Sequence, residues 1–102
     1  MKLRVKATPR ARQQIRKLKA WWRRNREKAP TLLRDELRNV FTLLAEQPEA
    51  GHLVEDAEIE GLRFHPVRRT PYLVFYVPKV DDGIVEVRAV WGGPRGEGPD
   101  LG

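Results

Sequence analysis

The sequence predicts an α+β domain: a helical hairpin packed on one face of a mostly antiparallel four-stranded sheet, in the order β-α-α-β-β-β. Three observations predict it. Apolar residues alternate over residues 2–7, they recur at helical spacing through two later segments, and three short strand-like runs follow Gly61. At 102 residues the chain is expected to form one domain, spanning 1–102, with two packed layers around a modest core.

In residues 2–7, Leu3, Val5 and Ala7 face one way and Lys2, Arg4 and Lys6 the other, a half-buried strand with a cationic outer face. Thr8-Pro9 then starts a helix. The threonine hydroxyl caps it, and proline at the first helical position gives up no needed donor. This helix runs to about Arg26 with Ala11, Ile15, Leu18 and Trp22 as its inner stripe, and Trp21 beside the stripe. A break at 25–30 precedes a second helix over about 30–47, opened by Pro30, with the stripe Leu33, Leu37, Val40, Phe41 and Leu44. So short a break predicts an antiparallel hairpin.

Pro48 and Gly51 end the second helix, and an acidic connection leads to the remaining strands. Leu62, Phe64 and Val67 belong to the second strand, and Arg68-Arg69-Thr70-Pro71 forms a turn. The third strand, about 72–77, is aromatic and β-branched, and Asp82-Gly83 signals a hairpin. The fourth strand, about 84–91, has Val85, Val87, Ala89 and Trp91 on one face and Ile84 and Val90 on the other. Apolar on both sides, it is expected at the sheet's centre. A Gly- and Pro-rich tail, 92–102, reads as an irregular extension.

Charge is divided along the chain. Of the 20 Lys and Arg residues, 12 lie in residues 1–28 beside a single acid, Glu27, whereas residues 46–60 hold six acids and no Lys or Arg. The net charge of +6 favours negatively charged partners. The first helix reads as a footprint for nucleic acid or an acidic partner, or as a solvated face. Without cysteine there is no disulfide or thiolate metal site, His52 and His65 form no metal constellation, and no cofactor is expected. No apolar run approaches a membrane span and the N-terminus has no signal-peptide core, so a cytoplasmic protein is expected.

The ordered set of Thr8-Pro9-Arg10-Ala11, the helical hairpin ending near Pro48 and Gly51, Gly61-Leu62-Arg63, Pro71-Tyr72-Leu73-Val74-Phe75-Tyr76, Val87 to Gly93, and Arg95-Gly96 resembles the RelE/ParE superfamily of bacterial type II toxins. The resemblance implies a toxin held inactive by a cognate antitoxin in a hetero-oligomer. It also implies one of two targets, ribosome-bound mRNA for RelE-like members and DNA gyrase for ParE-like ones. If the chain is RelE-like, it is a metal-independent endoribonuclease, and Arg63, His65 and Arg95 are the catalytic candidates. If it is ParE-like, it is no enzyme and acts by binding. Leu73 stands where RelE-like enzymes commonly carry arginine, and the tail after Arg95 has no Tyr, His or Lys, which favours the ParE-like alternative. A third reading is a non-toxic basic nucleic-acid-binding module.

The candidate binding residues are Arg63, Arg68, Arg69, Arg88, Tyr72, Tyr76 and Trp21. Arginines flanking the strands face a polyanion or an acidic protein, or line a solvated sheet edge. The tyrosines stack on bases or pack in the sheet with a wet hydroxyl. Trp21 anchors a partner or lids the hairpin.

Overall fold

The computed structural model describes residues 2–92. β1 (Arg4–Ala7) leads into α1 (Pro9–Asn25), which is followed by α2 (Leu32–Glu46), β2 (His52–Leu53), β3 (Arg63–Pro66), β4 (Tyr72–Lys79) and β5 (Ile84–Gly92). Among the described residues the sheet order is β1-β5-β4-β3-β2. β1 runs parallel to β5, and every other pair is antiparallel. The architecture is the expected two-layer α+β arrangement, with one strand more than expected. That strand, β2, pairs His52 with Phe64 and Leu53 with Arg63, and both of its side chains are exposed. Two residues carry no periodic signal, which is why the sequence reads as connection there.

Local chemistry sets the helix boundaries. Thr8 Oγ1 accepts from the Ala11 amide at 3.1 Å, and Pro9 occupies the first turn, as expected of the cap. α2 begins at Leu32, two residues after Pro30. The indole of Trp22 donates to Ala29 O at 2.8 Å, and the Ala29 and Leu32 amides donate to Arg26 O and Ala29 O. These bonds hold residues 26–32 in tight turns, so Pro30 sits in the connection.

The core lies between the helices and the sheet. Leu18, Trp22, Leu33, Leu37, Val40 and Leu44 meet Val74, Tyr76, Val85, Val87 and Val90. β5 is central, as its two apolar faces predict, but the faces divide differently. A bulge leaves Phe75 opposite Ala89 and Tyr76 opposite Val87, with Arg88 as the extra residue. Val85, Val87 and Val90 therefore share the buried face, while Ala89 and Trp91 turn to the other, and Trp91 is 47% exposed. The expected grouping of Ala89 and Trp91 with Val85 and Val87 assumed an uninterrupted alternation. Gly92 ends β5 and is not part of the tail.

α1 departs from its expected stripe at one position. Gln14 is buried and Ile15 only partly so, because Gln14 Oε1 accepts from the buried Val90 amide at 3.1 Å. No described helix is long and apolar enough to cross a membrane.

Candidate functional site

The sheet has a covered face and an open one. Across the open face, register aligns His52, Phe64, Phe75 and Ala89 in a row, with ring centroids 5.4 Å apart for His52–Phe64 and 6.0 Å for Phe64–Phe75. Beside this row opens a cleft of about 610 Å³, lined by Ile59, Leu62, Phe75, Ala89 and Trp91 together with residues of the α1 entry, Arg10 among them. Arg88 also lines it, and its Nη1 donates to Glu86 Oε1 at 2.9 Å. That bond, with Lys79 at 3.3 Å on the other carboxylate oxygen, holds the Glu86 carboxyl below its usual range against a smaller opposing effect of burial. The cleft is mostly apolar and holds two guanidiniums, Arg10 at its α1 entry and Arg88, the second already engaged by a carboxylate.

Of the predicted arginines among the described residues, Arg88 alone lines this cleft. Arg63 pairs in register with Tyr76, and its Nη1 donates to Gly51 O at 2.8 Å and Glu49 O at 3.4 Å. Arg69, at φ 62°, bonds with Nε and Nη2 to Glu36 Oε2, each at 3.0 Å, tying the β3–β4 turn to α2. Arg68 is exposed in the same turn. His65 Nδ1 lies 2.8 Å from Pro66 O, and His65 aligns with the buried Val74 rather than with the cleft. Arg95 lies outside the described residues.

The aromatic candidates are corrected more sharply. Tyr72 and Tyr76 are 1% and 0% exposed, so neither ring presents a face for base stacking. The Tyr76 hydroxyl is not wet either. It donates to Pro48 O and accepts from the Gly51 amide, both at 2.8 Å. Trp21 is half-buried against the core, with the Arg26 guanidinium 5.3 Å from its ring centroid.

A second concavity of about 710 Å³ lies between α1, α2 and the end strand β1. Val5, Ile15, Leu37 and Phe41 contribute apolar surface, and Lys2, Arg4, Lys19, Arg34 and Arg38 surround it. The groove draws on three elements, so no single segment's pattern announces it. Ile15 and Phe41, stripe members that pack against the core, are only partly buried. Among the described residues no group of three or more His, Asp and Glu is placed to hold a metal ion.

The model of the family described as the ParE toxin of type II toxin-antitoxin system, parDE, matches residues 5–95. Solved structures share the fold, two of them from toxin-antitoxin systems. A chain of the chromosomal ParDE TA system from P. aeruginosa is 16% identical with a TM-score of 0.68, covering 89% of this chain and 96% of that one. A chain of the toxin-antitoxin complex RelBE2 from Mycobacterium tuberculosis is 22% identical with a TM-score of 0.64, covering 88% and 96%. No curated protein matches the chain.

Proposed function

The chain belongs to the ParE toxin family of type II toxin–antitoxin systems, and from that premise we propose that it arrests growth by docking on DNA gyrase, without cleaving RNA, until a cognate antitoxin covers it. One observation carries the choice of mechanism: the open-face cleft is mostly apolar, and of its two guanidiniums Arg88 is engaged by Glu86 while Arg10 stands at the α1 entry. Metal-free RNA cleavage needs cations aimed at a phosphate and groups that move protons at the 2′ and 5′ oxygens. A half-exposed tryptophan beside aliphatic side chains suits a protein interface, where Trp is enriched among the residues that dominate binding. This reading has the toxin act in the cytoplasm, where gyrase works.

The antitoxin half of the proposal is supported by the groove on the helix side. Its apolar surface and five surrounding cations suit an acidic amphipathic segment that folds on binding.

Two assays on one preparation test the target. Purified toxin is expected to block supercoiling by gyrase and to leave ribosome-bound mRNA intact in translation reactions mapped by primer extension. Trp91→Ala is expected to weaken gyrase inhibition at least about tenfold, the loss of one hot-spot residue. Cleavage of mRNA with unaffected supercoiling would instead establish the RelE-like mechanism, with Arg63 and Arg95 the first residues to substitute.

A further inference from the structure

The outer face of α1 is used by neither concavity except at its margins. Four cations, Arg12, Arg16, Lys19 and Arg23, recur at spacings of four, three and four, which makes one ridge of the helix. Arg10, Lys17 and Arg24, at spacings of seven, make a second. Between the ridges lie Gln13 and Ala20, both exposed. At 100° per residue, these nine positions cover about half the circumference of a helix about 25 Å long.

No acid interrupts this arc, because α1 contains none. None of the seven cations makes an ion pair or side-chain hydrogen bond among the described residues. Elsewhere among the described residues four cations are neutralised locally: Arg34 by Asp35, Arg69 by Glu36, and Arg88 and Lys79 by Glu86. α1 instead keeps like charges as neighbours along a ridge and places Arg10 and Arg12 in its first turn, where the helix dipole disfavours cations. Both features work against the helix when it is alone and are relieved by a polyanion.

The arc also lacks what other partners need. A protein interface has a desolvated centre of apolar and aromatic side chains, and no large apolar residue lies between the ridges. Single-stranded nucleic acid is gripped by stacking on exposed rings, whereas Trp22 is 4% exposed and Trp21 is half-buried beneath Arg26. What remains is a cationic cylinder of the size that the B-DNA major groove admits, about 12 Å wide, with the deep, narrow major groove of an RNA duplex excluding it.

We infer that the outer face of α1 binds the phosphate backbone of duplex DNA without sequence preference, as a surface that meets the cleft at Arg10 and the groove at Lys19. The inference does not depend on which target the toxin inhibits.

Fluorescence anisotropy of a short labelled duplex of arbitrary sequence, titrated with the full chain, tests it. About four phosphate contacts predict a log–log salt slope near −3.6, so affinity falls about two orders of magnitude between 50 and 200 mM salt. The triple variant Arg16→Gln, Lys17→Gln, Arg24→Gln is expected to bind at least about tenfold more weakly, with a slope shallower by two to three. A control losing the same charge, Arg34→Gln, Arg38→Gln, Arg68→Gln, is expected to stay within about threefold of the parent chain. All six positions are exposed and glutamine keeps helix propensity; circular dichroism verifies that each variant is folded. Binding that ignores salt, or equal losses in the two triple variants, would overturn the assignment. An RNA duplex or a single strand bound as tightly as the DNA duplex would overturn it too.

Discussion

Tyr76 contributes a buried hydroxyl rather than a ring face. Its oxygen joins Pro48 O to the Gly51 amide while Arg63 bonds the Gly51 carbonyl, so one tyrosine and one arginine fasten the 48–51 turn and deliver β2 to the sheet. Tyr76→Phe leaves the Gly51 N–H without its acceptor and is expected to cost about 1–3 kcal/mol in urea unfolding at neutral pH. Burial raises the Tyr76 pKa above 10.0, opposed by the Gly51 N–H and by Arg63. A raised pKa means that the group's contribution is fully present below pH 10 and drains away as pH climbs towards the folded value. The parent chain should therefore lose stability above pH 10, and Tyr76→Phe should remove that part of the decline. Gly51 itself admits no side chain. A Cβ there would stand 2.5 Å from the Tyr76 hydroxyl and 2.7 Å from Phe64 O. Gly51→Ala is expected to destabilise by about 1–3 kcal/mol, read as a lower Tm, because a rigid ring and a backbone carbonyl must both give way.

Periodicity made the elements legible, and a single irregularity hid the site. α1, α2, β4 and β5 follow from spacing and caps, and the double-sided apolar character of β5 marks its central place. The bulge at Arg88 has no distinct signature in Val85-Glu86-Val87-Arg88-Ala89-Val90-Trp91, where the apolar run 89–91 fits a strand buried on both faces as well as a shift of register. One extra residue moves every later side chain to the opposite face, so Trp91 parts from Val85 and Val87 and lines the cleft instead. Gln14 was equally silent, since a polar residue within an apolar stripe looks like a surface position. Its amide is what lets α1 sit against the buried Val90 N–H. Gln14→Leu keeps the volume and removes the acceptor. It is expected to cost about 1–3 kcal/mol in chemical denaturation, whereas Gln13→Leu, on the exposed side of the same helix, should stay within about 0.5 kcal/mol.

For the molecule as a whole, the division of charge was readable from composition along the chain, but its use in space was not. Arg63, Arg69 and Arg88 go to structural partners, and the cations that gather around the helix-side groove come from the N-terminal strand, α1 and α2, as far as 36 residues apart in sequence. Only packing brings Lys19 beside Arg34 and Arg38, so no linear motif announces the groove. Its two ingredients make separable predictions for the antitoxin. Charges around a wet rim mainly govern encounter, so Arg34→Gln with Arg38→Gln should slow association with an acidic antitoxin and flatten its salt dependence. Apolar contacts on the floor govern residence, so Phe41→Ala should speed dissociation, with an affinity loss of about tenfold or more. Phe41 is only partly buried, which keeps its truncation tolerable for the fold. In cells the outcome is asymmetric: each variant expressed alone should still arrest growth, because the open-face cleft is untouched, while co-expressed antitoxin should rescue growth less completely than it does for the parent chain. Full rescue of both variants, with unchanged association and dissociation rates by surface plasmon resonance, would mean that the antitoxin silences the toxin from another surface.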